Sequence, residues 1–149
     1  ELPALYRTAR EALELMMDRR FHGGNVCTVA QLRTPLLLKE LEGRSDLIAK
    51  EIRELAAHDK KKDTQYCETL YHYLTCCRSL KKTCDALFTH RNTVLYRIRR
   101  IEDDFAIPLD EPAAHADLLV GVSLLLFKEK GPDFFLHTVD HNDREEQES

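Results

Sequence analysis

A chain of 149 residues and 17.3 kDa has room for one compact domain or two small ones. Apolar residues at 43% and charged residues at 32%, with five Gly and five Pro, exclude collagen-like, low-complexity and wholly disordered classes. The longest apolar run, from Leu118 to Phe127, contains Gly121 and Ser123 and falls short of the roughly 18 residues of a bilayer span, so no membrane crossing is expected. The net charge of −4 hides blocks of opposite sign. Residues 1–63 carry 12 basic and 11 acidic groups, residues 64–101 carry 7 and 2, and residues 102–149 carry 3 and 13. The middle block is a local positive patch on an acidic protein, and such a patch attracts phosphate whatever the total charge.

The opening stretch has no Met and no signal-peptide pattern and enters directly on a helical period, as part of a longer protein would. Leu5, Ala9, Ala12, Leu13, Met16 and Met17 recur at helical spacing and predict an amphipathic first helix. Gly23-Gly24-Asn25 marks a turn, and Val26 to Val29 is a β-branched run, the one candidate strand. Pro35, with Thr34 as cap, predicts a short apolar helix that stops at Gly43. Ser45 is the expected cap of a helix over 46–58, and the polar stretch 59–63 is the expected connector, so a first segment is placed at 1–63.

A new pattern starts at Thr64, the expected cap of a helix with Tyr66, Leu70, Tyr73 and Leu74 on one face. Ser79 caps a shorter helix, Leu80 to Leu87, with Leu80, Cys84 and Leu87 as its apolar contacts. After the turn Phe88-Thr89-His90 comes a longer basic helix from about Arg91 to Phe105. Short helix, tight turn and basic helix are the pattern of a helix-turn-helix. Asp110 and Pro112 then predict a last apolar helix reaching Gly131-Pro132. These boundaries give a mainly α chain with at most one short strand: a helical remnant at 1–63, a helix-turn-helix domain at 64–131 and an acidic tail at 132–149.

Helical geometry puts Val94, Ile98, Ile101 and Phe105 in one stripe. The opposite side then presents Asn92, Tyr96 and Arg99, flanked by Thr93 and Arg100. These groups suit groove recognition: Arg pairs with guanine or phosphate, Asn with adenine, Thr meets the thymine methyl, and Tyr reaches the backbone. The helix N-terminus near His90 and Arg91 favours phosphate. Arg91 and Arg97 both border the stripe, where the guanidinium can pair internally with Glu68, Asp85 or Glu102; Arg97 is shared between that role and DNA contact, and Arg91, in the first turn, is assigned to phosphate. Leu95 fits either a base methyl or a second subunit.

The run ALFTHRNTVLYRIRRIEDDFAIPLDEP resembles the C-terminal helix-turn-helix of the PucR/CdaR family of bacterial transcription regulators, with the ALFVHRNT, YRLRRIE and LD(D/E)P signatures in register. The resemblance covers about Tyr66 to Phe127. It implies a Fis-like, homodimeric, cytoplasmic regulator that binds double-stranded DNA through His90, Arg91, Asn92, Thr93, Tyr96, Arg97, Arg99 and Arg100. It also implies a small-molecule effector bound by an upstream region not in this chain. The chain departs from the family at Cys77-Arg78-Ser79, where a Gly-Gly-Asn turn is common, at Leu95, commonly basic, and at Thr89, commonly Val. Gly23-Gly24-Asn25 has no acidic metal ligands beside it to support an upstream cyclase-like activity.

Five cysteines, Cys27, Cys67, Cys76, Cys77 and Cys84, give an odd count and lack zinc-ligand spacing, so reduced thiols without a metal are expected. Cys67, His72, Cys76 and His90 lack a Gly-rich nucleophile turn and an evident supporting acid, so neither a catalytic site nor a cofactor is expected. The competing reading is a helical protein-interaction or dimerisation module without direct DNA contact.

Overall fold

The computed structural model describes residues 2–17 and 29–136. They form eight α-helices: α1 Leu2–Met16, α2 Val29–Glu40, α3 Lys50–Lys62, α4 Tyr66–Thr75, α5 Leu80–Leu87, α6 Arg91–Phe105, α7 His115–Lys130 and α8 Asp133–Leu136. Single 3-10 turns occur at Ser45–Leu47 and Pro112–Ala114, and no strand occurs among the described residues. Of the expected strand, Val29 opens α2, while residues 26–28 lie outside the described residues together with the turn at 23–25 and residues 137–149. Packing divides the chain into two compact units, Glu1–Gly43 with Leu126–Ser149, and Arg44–Leu125.

In the first unit α1 packs on α2, and α2 on α8. Ala12 and Leu15 of α1 are buried, with Leu32 and Leu38 of α2 and Phe135 of α8, whose ring centroid lies 6.3 Å from that of Phe127. The apolar stripe read from the sequence of α1 is only partly used: Leu5 is 67% and Leu13 62% exposed. The buried positions, Ala12 and Leu15, lie to one side of that stripe, and most of it faces outward. Pro35 lies inside α2 rather than in its first turn. It removes one helical N–H donor from a helix of only 12 residues.

The second unit contains the helix-turn-helix. α4 packs on α3, α5 and α6, and α6 packs on α3, α4 and α5. Ile52, Leu55, Leu70, Leu74, Val94, Ile98 and Ile101 fill the space between them. On α5 the fully buried side chain is Thr83, with Leu80, Cys84 and Leu87 only half-buried. The Thr83 hydroxyl donates to the Ser79 carbonyl at 2.7 Å, which lets a polar group sit in the core. At Gly121 of α7 an added Cβ would lie 3.4 Å from Ile48 Cγ2, so α7 approaches this core closely.

The segment expected to connect the two halves is the last turn of α3, with Lys60, Lys61 and Lys62 at the negative end of its dipole. Asp59 links that turn to the next helix. Its carboxylate accepts the Tyr66 N–H at 2.9 Å and the Cys67 N–H at 2.7 Å, together with the Thr64 hydroxyl. The cap of α4 is therefore Asp59 rather than Thr64, because a carboxylate holds two of the orphan helix N–H groups at once. Beside it the His58 ring stacks on Tyr66 at 5.1 Å and meets the edge of Phe105 at 5.3 Å. The 46–58 helix expected after Ser45 is broken at Ile48 and Ala49, and Ser45 opens the short 3-10 turn instead.

Left-handed residues end four helices of this unit: Asp63, Cys77, Phe88 and Ala106, none of them Gly. After α4 the Arg78 N–H returns to the Tyr73 carbonyl at 2.8 Å and the Cys77 N–H to Leu74 at 3.2 Å, a Schellman closure. Arg78 is also left-handed, so the turn keeps its form without the Gly residues common in similar sequences. Arg78 further donates to the Leu109 carbonyl and faces Asp110 at 3.5 Å.

Two outcomes follow. Cys77 is exposed at φ 54°, so Cys77→Gly should stabilise the chain by about 0.5–1 kcal/mol, the relief of left-handed strain less the entropy of an unfolded Gly, read as a higher urea midpoint. Burial holds the His72 imidazole below its ordinary 6.5, against a smaller opposing pull from Glu68. The unfolded chain therefore binds that proton first, and stability is lost as pH falls below 6.5 toward the depressed folded value. Thermal melts from about pH 7.5 to about pH 5.5 should show a falling midpoint, and His72→Gln should shrink the fall.

Candidate nucleic-acid interface

α6 has one committed side. Val94, Ile98 and Ile101 are buried and Phe105 is half-buried, as their spacing predicts. Burial of that stripe turns Asn92, Thr93, Tyr96, Arg99 and Arg100 outward, and all five are exposed, Tyr96 by 58%. His90 and Arg91 are exposed where the helix begins. His90 is the N-cap in extended conformation and makes no side-chain cap hydrogen bond, so its ring is not used to close the helix.

The charge order along α6 opposes its dipole. Arg91 stands in the first turn, where acids are usual, and Asp103 and Asp104 stand in the last, where bases are usual. The arrangement weakens the helix slightly and concentrates positive potential at its N-terminal end. Arg100 pairs with Asp104 at 2.7 Å, and Asp104 is the main influence that raises its pKa. Its guanidinium carbon also lies 6.0 Å from the Tyr96 ring centroid, at the outer limit of a cation–π contact.

Arg97 is held differently. Its guanidinium donates to Gln65 Oε1 at 3.4 Å and Thr69 Oγ1 at 3.3 Å, both on the α4 side. The internal partners are thus two neutral groups and not Glu68, Asp85 or Glu102. Leu95 is half-buried. Of the eight residues read from the sequence, seven share the open surface of α6 and its entry turn, and Arg97 sits at the seam with α4.

One exposed side chain beside this surface was not singled out by period or charge. Phe88, at the left-handed end of α5, is 91% exposed, the most exposed of the large apolar residues among the described residues. With Cys84, Asp85, Thr89 and His90 it lines a shallow depression at the turn. The signal in the sequence was a bulky aromatic at the turn position where Gly is usual.

Residues 66–124 match the family model described as the PucR C-terminal helix-turn-helix domain. That stretch, which runs from α4 into α7, is similar to the domain. It is also similar, at 29% identity over 132 residues, to the proline-responsive transcriptional activator PutR of Bacillus subtilis (strain 168). That alignment takes in 85% of this chain and 32% of the relative, so the chain spans about a third of the relative's length. No solved structure matches. Among the described residues no helix is long and apolar enough to cross a membrane, and no group of three or more His, Cys, Asp or Glu is placed to hold a metal ion.

The two kinds of arginine on α6 separate experimentally. Arg97→Ala should lower unfolding free energy by about 1 kcal/mol through its lost hydrogen bonds and stem packing, whereas Arg99→Ala should change it by less than about 0.5 kcal/mol. Urea denaturation of the two variants checks this.

Proposed function

We propose that this chain is the DNA-binding part of a bacterial transcription regulator, seating α6 in the major groove of double-stranded DNA. The observation that carries the reading is the exposed set Asn92, Thr93, Tyr96, Arg99 and Arg100 opposite a buried stripe, on a helix preceded by a short helix and a tight turn. Arg99 supplies two parallel donors for guanine, Asn92 a donor and an acceptor for adenine, and Thr93 a methyl for thymine. His90 and Arg91 take phosphate at the helix entry, and Tyr96 and Arg100 follow the backbone. Arg97 steadies α6 on α4 and keeps its charge near the groove edge. No step of this reading is catalytic, and none needs a cofactor.

One helix reads too few base pairs for a specific site, so the chain acts as a homodimer with recognition helices about 34 Å apart in successive grooves. The relative is named for its response to proline. For this protein the reading is coarser: a cytoplasmic regulator whose small-molecule effector binds a region outside the chain. A second reading, docking onto another protein without DNA, draws on the open apolar side chains of α1, among them Leu5, Tyr6 and Leu13.

Fluorescence anisotropy on a duplex from the promoter beside its own gene tests the proposal. Log affinity should fall against log salt with a slope of about −4 to −6 per chain. Asn92→Ala and Arg99→Ala should each weaken binding by about 1–3 kcal/mol and relax base preference, while Arg91→Ala should make the slope shallower by about one. Unchanged binding of the first two variants to every duplex would refute the reading.

A further inference from the structure

Phe88 combines two features that oppose folding. Its backbone is left-handed at φ 50°, in a Schellman closure where the Thr89 N–H returns to the Cys84 carbonyl at 3.1 Å and the Phe88 N–H to Asp85 at 3.3 Å. Glycine takes this conformation freely and an aromatic residue does not. Its side chain is 91% exposed, so burial of the ring offsets almost none of that strain. A conformation that costs stability and leaves an apolar ring in water marks a residue placed for something outside the fold.

The place of the ring indicates what it meets. Phe88 lies two residues before the α6 N-cap His90 and three before Arg91, on the turn that leads into the proposed groove helix. When the first turns of α6 enter a major groove, the preceding turn faces the groove wall, where each deoxyribose presents an apolar surface between phosphates. The neighbouring positive charge is Arg91, which complements those phosphates.

We infer that Phe88 is a DNA-contact residue that packs its ring on the sugar face of the backbone at the groove edge. The inference rests on the DNA-binding reading and adds to it an apolar, sequence-independent contact. Such a contact contributes affinity without base preference and without releasing counterions, which separates it from the arginines of α6.

The test uses the whole 149-residue chain, a duplex selected from a random library on the unaltered protein, and a scrambled duplex of the same composition. Phe88→Gly should leave the urea midpoint unchanged or raised. It should weaken binding to both duplexes by about tenfold, with the salt slope unaltered. Phe88→Leu, which keeps an apolar side chain, should lose less. Wild-type affinity in Phe88→Gly overturns the inference, as does a loss confined to the selected duplex, which would mean base readout. A lower urea midpoint would show that the ring is packed in the fold, and a loss of self-association in sedimentation would assign it to a second copy of the chain; either overturns the inference. Asn92→Ala and Arg99→Ala, run beside it, separate the two failures. If they weaken binding and Phe88→Gly does not, this inference alone fails; if they too bind every duplex unchanged, the DNA reading fails with it.

Discussion

The helix-turn-helix unit depends on the one-sided burial of α6. Val94, Ile98 and Ile101 are wedged among α3, α4 and α5, and a helix fixed on one side has no freedom to choose what it shows on the other. Asn92, Tyr96 and Arg99 are outward because those three aliphatic side chains are inward. The seam residues reinforce this: Arg97 ties α6 to α4, and Phe105 meets His58, which stacks on Tyr66. The rotation of α6 about its own axis is therefore set by apolar packing and fine-tuned by polar and ring contacts at its borders.

Asp59 plays the corresponding part between α3 and α4. One carboxylate at the end of the first helix receives two backbone N–H groups of the second, so the three-residue passage from α3 to α4 has little conformational choice. Polar groups elsewhere in this core follow the same rule. Thr69 and Thr83 are fully buried, and each hydroxyl donates to a carbonyl one helical turn back, at 2.7 Å.

The α6 stripe was legible in the sequence because its period is strong and its polar residues are confined to one side. The Ser79 cap was legible for a local reason, since its hydroxyl accepts the Lys82 N–H three residues on. The Asp59 cap was not: its partners lie seven and eight residues ahead, across a reversal of the chain, while Thr64 offered the nearer and conventional choice. Thr83 escaped because counting apolar residues overlooks a hydroxyl that finds its own carbonyl. In α1 the period gave the helix but not its buried side: of the expected stripe only Ala12 is buried, and Leu15, outside it, is the most buried residue of the helix. Helical spacing singles out Asn92, Thr93, Tyr96, Arg99 and Arg100, the family resemblance completes the expected set with His90, Arg91 and Arg97, and angle alone puts Arg91 and Arg97 at the border of the stripe. The acids expected to hold it gave way to Gln65 and Thr69, which are nearer in the fold and carry no charge for a sequence count to detect.

The helix closures at Asp63, Cys77, Phe88 and Ala106 have a consequence for how this sequence tolerates change. Each reversal hinges on one residue, or on the pair Cys77 and Arg78 after α4, whose backbone lies where β-branched side chains fit worst. Threonine, valine or isoleucine arriving at any of the four would force the chain to reroute its loop, although no core contact had been touched. Asparagine or glycine would keep each closure intact. Drift in this protein is thus filtered most sharply at four corners that an inventory of buried residues would call unimportant.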